Sequence, residues 1–201
     1  PPSAILASST SSFTWSDLFA GLNEPRRCIT AHPFNPAHLV PLVELYGPDL
    51  ETLEEAARLY RDLGRIPVRM RKEAVGHIAN RLASALWREA VHMVEQGIAD
   101  VEEIDKALVH GPGLRWALVG AHMAYHLGGG AGGIERYLQH LGPSQERRWA
   151  TLGQPALTKQ VCAQISAGVL REAAGRSVAE LAALRDQGLV AILRARQGFL
   201  T

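Results

Sequence analysis

Four polar residues stand where an ordinary structural role leaves something unexplained. Ser11 lies in Ser8-Ser9-Thr10-Ser11-Ser12, His32 opens His32-Pro33-Phe34-Asn35-Pro36, Glu44 interrupts the apolar run Leu42-Val43-Glu44-Leu45, and Asn80 sits beside Ile78, Ala79 and Leu82. Taken singly, each has a plain alternative. A serine cluster makes turns and caps, a histidine before proline satisfies a loop carbonyl, and an asparagine among apolar residues packs a helix. Glu44 is the most telling, because a carboxylate inside an apolar strand is costly unless it is paired. Taken together the four residue types make one machine. A neutral imidazole, whose ordinary pKa is about 6.5, removes a hydroxyl proton near neutral pH. A buried carboxylate on its far nitrogen fixes the tautomer and stabilises the imidazolium that forms. Serine and asparagine hold the oxygen as it becomes a carbonyl. A hydride leaving the same carbon needs a cofactor as acceptor, since no side chain can take it.

The elements that must position these residues change character along the chain. Up to about residue 70 short β-like runs alternate with amphipathic helices, an α/β pattern. Ala4-Ile5-Leu6-Ala7, Arg27-Cys28-Ile29-Thr30-Ala31, Leu42 to Tyr46 and Ile66-Pro67-Val68-Arg69-Met70 read as strands, the last as an edge because of Pro67. Ser11 and His32 would then follow the first and second strands, where α/β sheets present ligands. Thr14 with Asp17 has the form of a capping box for a helix to about Leu22, and Asp49 caps a helix to Leu63 that Gly64 ends. From Val75 the apolar period becomes helical: Val75, Ile78, Ala79, Leu82, Leu86, Ala90, Met93 and Val94 share one face of a helix closed by Gly97. Asp100, with Glu103 as box partner, opens a helix ending at Gly111, and Ser177 with Glu180 opens another to about Arg196. The Gly128 to Gly133 stretch reads as a flexible loop, because no strand precedes it. The division falls into 1–71, α/β, and 72–201, all helical.

Composition narrows the partners. The 201 residues are 47% hydrophobic, enough for one large domain or two small ones. Twenty-one basic and twenty acidic residues nearly cancel, with no block of like charge, which favours small ligands and argues against nucleic acid or a membrane surface. No apolar run approaches the roughly 20 residues of a bilayer span, and no signal peptide opens the chain, so a cytoplasmic location is expected. Cys28 and Cys162 have no metal-ligand spacing and read as buried thiols. A strand at residue 4 with no strands before it makes Pro1 look like a cut end.

The stretches Ser8-Ser9-Thr10-Ser11, His32-Pro33-Phe34-Asn35-Pro36, Pro41-Leu42-Val43-Glu44 and Lys72-Glu73-Ala74-Val75-Gly76-His77-Ile78-Ala79-Asn80-Arg81-Leu82 resemble the L-3-hydroxyacyl-CoA dehydrogenase superfamily over nearly the whole chain. The resemblance implies His32 as general base, Glu44 as its partner, and Ser11 and Asn80 as substrate contacts. It implies a Rossmann remnant followed by a 6-phosphogluconate-dehydrogenase-like helical domain, NAD as cofactor with Ser9, Thr10 and Ser11 beside it, and a homodimer formed through the helices. Substrate contacts would include Phe34, Gly76, Ile78, Ala79, Gly111 and Trp116. The family's nucleotide-binding segment, a strand leading into Gly-x-Gly-x-x-Gly, is not in this sequence, since no strand precedes Gly128 to Gly133. Gly111 to Ala117, His126 to Gly130 and Gly175 to Leu181 look most like the L-carnitine dehydrogenase branch. A quaternary ammonium calls for aromatic faces. Phe34 and Trp116 are the better candidates, while Trp87 and Tyr125 read more readily as core.

Three other readings stay open. A 3-hydroxyacyl-CoA substrate would want a basic rim, which Arg69, Arg71 and Lys72 supply. His122 and His126, at i and i+4, have the spacing of two metal ligands but lack a third. A chain without the phosphate-binding turn could also serve only in dimerisation, with little turnover alone.

Overall fold

The computed structural model describes residues 3–197 and 199. The chain forms two compact units, Pro1–Ala85 and Leu86–Thr201. The first carries a four-stranded sheet in the order β1 (Leu6–Ser8), β2 (Cys28–Pro33), β3 (Leu42–Tyr46), β4 (Ile66–Arg69). β1 pairs parallel to β2, β2 antiparallel to β3, and β3 parallel to β4. Helix α1 (Trp15–Phe19) follows β1, α2 (Leu50–Asp62) connects β3 to β4, and α3 (Ala79–Glu95) begins in this unit.

The central strands β2 and β3 are apolar because both their faces are covered, whereas β1 and β4 lie at the edges, Pro67 among them. Leu53, Ala56 and Ala57, at helical spacing on α2, pack on Ile29, Ala31, Val43 and Leu45 to make the core. Asp49 caps α2 by accepting the Thr52 N–H at 2.8 Å. The helix stops at Gly64, whose φ of +71° only glycine adopts without strain. There Gly64 N–H binds the Arg61 carbonyl and Arg65 N–H the Tyr60 carbonyl, a double closure that sends the chain back into β4.

Several boundaries differ from those the sequence predicts. β1 starts at Leu6, α1 ends at Phe19, and β4 ends at Arg69. β2 runs on to Pro33, so His32 lies within the strand and not after it, because β3 pairs along its whole length. α3 starts at Ala79 instead of Val75: Gly76 and His77 both have positive φ, which breaks the helix and leaves Val75 exposed.

The second unit is helical: α4 (Val101–His110), α5 (Pro112–Trp116), α6 (Ala121–Gly128), α7 (Gly133–Trp149), α8 (Lys159–Ala173) and α9 (Val178–Arg196). Asp100 caps α4, but the Glu103 carboxylate pairs with Lys106 and leaves the box incomplete. Ser177 and Glu180 do form a full capping box on α9. Trp116 ends the short helix α5, which Pro112 opens directly after Gly111. Gly128 to Gly133 is no flexible loop either: it is the end of α6, one 3-10 turn and the start of α7. Cys28 is buried as expected, but Cys162 is exposed on α8, and both are free thiols. Trp87 and Tyr125 are 53% and 39% exposed, so neither is the core residue that helical spacing implies. Among the described residues no helix is long and apolar enough to cross a membrane.

Candidate active site

The β2–β3 ladder builds the centre of the site. His32 and Glu44 are direct cross-strand partners, and opposed residues on an antiparallel pair present their side chains side by side. His32 Nδ1 lies 3.0 Å from Glu44 Oε2, with the two side chains only 5% and 1% exposed. A carboxylate accepts and cannot donate, so Nδ1 carries the hydrogen, and in the neutral ring the lone pair is on Nε2. This is the state a general base needs.

Glu44 is held from its other side as well. Its Oε1 accepts the backbone N–H groups of Ile78 at 2.7 Å and Ala79 at 2.9 Å, the opening amides of α3. Those donors have no partner inside the helix, and the positive end of the helix dipole favours the anion. The charge that apolar strand β3 buries is thereby met by three hydrogen bonds. Because Ile78 and Ala79 spend their amides on Glu44, any contact they make to substrate falls to their side chains.

His32 is also packed by two rings. Phe34 meets it edge-on at 6.5 Å between centroids, and His77 stacks on it at 4.6 Å with the planes 20° apart. His77 is 3% exposed, its Nδ1 has no hydrogen-bond partner among the described residues, and its φ is +51°. Burial pushes its pKa below the usual histidine value, the neighbouring His32 pushes the same way, and Glu44 opposes them. Sequence reasoning assigned His77 no role, since it read as part of the first turn of a helix. The available signal was a histidine wedged between a glycine and an apolar run.

The remaining site residues are placed less tightly. The Ser8 to Ser12 segment follows the C-terminal end of β1, next to β2. Thr10 Oγ1 is occupied by the Ser12 and Phe13 N–H groups, whereas Ser9 and Ser11 are exposed with no hydrogen-bond partner for their hydroxyls among the described residues. The segment is tied to the His77 turn through α1: Ser16 donates its N–H and hydroxyl to Glu73 at 2.9 and 2.6 Å. Asn80 is half-buried, one residue beyond the Ala79 amide that anchors Glu44, and Gly76 sits opposite its Cβ. Gly111 and Trp116 belong to the second unit. His126 accepts the Ile134 N–H through Nδ1, which occupies one nitrogen of the His122/His126 pair.

The hydroxyls of Ser9 and Ser11 follow the C-terminal end of β1, next to the strand that carries His32, and fit the nicotinamide end of a dinucleotide. Among the described residues no glycine-rich turn between strand and helix is present to cradle a pyrophosphate.

Comparison with known proteins matches both parts of the chain to family models. Residues 1–74 match the 3-hydroxyacyl-CoA dehydrogenase NAD binding domain, and residues 76–179 the 3-hydroxyacyl-CoA dehydrogenase C-terminal domain. The L-carnitine dehydrogenase of Streptomyces coelicolor is 43% identical over 97% of this chain and 62% of its own length. That of Pseudomonas aeruginosa is 40% identical over 98% of this chain and 64% of its own. The chain thus spans about three-fifths of the curated relatives it matches. Among solved structures, 5-formyl-3-hydroxy-2-methylpyridine 4-carboxylic acid 5-dehydrogenase, an NAD+-dependent dismutase, superposes with a TM-score of 0.81 at 26% identity, covering 100% of this chain and 66% of that one. The 3-hydroxybutyryl-CoA dehydrogenase of Escherichia coli gives 0.53 at 34% identity, over 56% of this chain and 24% of that one.

Proposed function

Because the chain belongs to the 3-hydroxyacyl-CoA dehydrogenase family, we propose that it carries the proton-transfer half of an NAD-dependent oxidation of a small 3-hydroxy acid, with L-carnitine to 3-dehydrocarnitine as the substrate pair. The observation that carries this reading is the buried His32–Glu44 pair, with Nδ1 engaged and Nε2 left as the base. His32 Nε2 takes the proton of the 3-hydroxyl. Glu44, itself fixed by the Ile78 and Ala79 amides, stabilises the imidazolium that results. Ser11 and Asn80 would hold the substrate oxygen, and Ser9, Thr10 and Ser11 would lie beside NAD, which would supply the hydride acceptor. The similarity of 40–44% to L-carnitine dehydrogenases favours carnitine over an acyl-CoA. The aromatic face of Phe34, whose ring meets His32 edge-on, suits its quaternary ammonium.

On this reading residues 1–71 complete a nucleotide-binding domain and 72–201 supply substrate contacts and a homodimer interface. The second unit leaves Leu114, Leu127, Leu138, Trp149, Leu170 and Val178 exposed, apolar side chains that a partner subunit would cover. The test is His32→Ala in the complete enzyme. Turnover falls by about 10²–10⁴-fold while light scattering still reports a dimer. Normal turnover would remove His32 as base, and loss of the dimer would make it a structural histidine.

A further inference from the structure

Beside the base lies a second chemical feature, a cationic cavity of about 420 Å³ whose lining includes Met70, Arg71, Lys72, His77, Ile78 and Arg81. Resting on the reading of His32 as base, we propose that this cavity is an oxyanion subsite that seats the anionic end of the substrate, with His77, Arg81, Arg71 and Lys72 as its walls.

Three observations converge on it. The first is His77 itself. Its imidazole is 3% exposed, and its buried Nδ1 has no hydrogen-bond partner among the described residues, a rare condition for a buried polar atom. Its backbone is also held at φ +51°, which a side chain other than glycine's adopts only under constraint. A residue that is buried, unsatisfied and strained next to a reacting group marks a place where a ligand completes the bonding.

The second is charge. Arg71, Lys72 and Arg81 have no carboxylate partner among the described residues, and the cavity lining contains no acid. Arg69 is excluded from the set because Glu54 holds it at 3.0 Å. Glu73, the one acid between Arg71 and Arg81, is turned away to Ser16. Three unpaired cations around one cavity make a field that an oxyanion neutralises with charge-assisted hydrogen bonds.

The third is position. His77 stacks on His32 at 4.6 Å, so the cavity wall and the base share one ring-on-ring contact. The oxyanion has two possible sources, the carboxylate of a short hydroxy acid or a phosphate of a nucleotide-bearing substrate.

The experiment is a titration of the complete enzyme, labelled with 15N-histidine, with sodium acetate and with inorganic phosphate at constant ionic strength. The ring resonances of His77 shift saturably, and the shift is lost in R81Q and in K72Q, both changes at exposed positions that do not threaten the fold. In turnover, R81Q raises KM for the hydroxy acid about tenfold with kcat within about twofold. Insensitivity of the substrate's methyl ester to R81Q identifies the carboxylate as the source. Competition by adenosine 3′,5′-bisphosphate that R81Q abolishes identifies a phosphate. No saturable shift with either anion, or an unchanged KM in R81Q, overturns the subsite. His32→Ala separates the two readings: lost turnover with no anion binding in the parent enzyme sinks the subsite alone, and retained turnover with intact binding sinks the base alone.

Discussion

Glu44→Gln is the most discriminating perturbation of this site. The amide has nearly the shape of the carboxylate, so its oxygen can still accept the Ile78 and Ala79 N–H groups now at 2.7 and 2.9 Å from Oε1. Its nitrogen then faces His32 Nδ1 as a donor, and the imidazole must answer with a lone pair there. The ring hydrogen moves to Nε2, and His32 loses the lone pair that its proposed role as base requires. Three charge-assisted bonds become neutral ones, a loss of about 1 kcal/mol each, offset in part by the removal of a buried charge. The net stability loss is about 1–3 kcal/mol, and the fold survives. Glu44→Ala is far more severe, because two backbone N–H groups and one imidazole N–H are left buried and unpaired at about 1–3 kcal/mol apiece. That sum rivals the total stability of a domain of this size. The assay pairs urea unfolding with 15N spectra of the His32 ring and turnover of the complete enzyme. E44Q is folded, shows hydrogen on Nε2, and turns over about 10²–10⁴-fold more slowly. A folded E44Q that keeps hydrogen on Nδ1, or one with parental turnover, refutes the assignment of Glu44 as the residue that sets the tautomer.

Two further outcomes test the packing around the site and the helical unit. His77 has a native pKa held below 6.5, so between that native value and 6.5 the unfolded chain binds more protons than the folded one. Stability conferred by neutral His77 is therefore full above about pH 6.5 and declines as pH falls through the window below it; unfolding free energies measured from about pH 7 to 5 show a slope that His77→Phe reduces, and equal slopes would contradict the burial argument. In the second unit, a Cβ at Gly168 would lie 2.4 Å from Val101 Cγ2 and 2.7 Å from its Cβ, where α8 packs on α4. Gly168→Ala lowers stability by about 1–3 kcal/mol despite alanine's better helix propensity, read as a lower urea midpoint at unchanged slope; a gain would show that the two helices separate freely.

Much of the local structure was legible because its causes are local. The Thr14–Asp17 and Ser177–Glu180 boxes, the Asp49 cap and the Gly64 stop all act within a few residues, and each is present in the fold. The α/β to helical transition was legible for the same reason, since period 2 and period 3.6 are properties of short windows. Glu44 could be singled out from sequence because a carboxylate in an apolar strand must have a partner somewhere. Which partners it has was decided only in three dimensions. The Ile78 and Ala79 amides reach it from 34 and 35 residues away, and no periodicity links a strand interior to the opening of a distant helix. The left-handed break at Gly76 and His77 is what brings those amides round and lays the His77 ring on His32. A helical reading from Val75 erases that break, because a regular apolar period describes the average path of the chain and not the one turn that departs from it. The sequence alone therefore determined which residue could be the base and which the carboxylate. Tertiary structure decided the tautomer, the anchoring of the charge and the presence of a second histidine, since each depends on contacts between segments far apart in the chain.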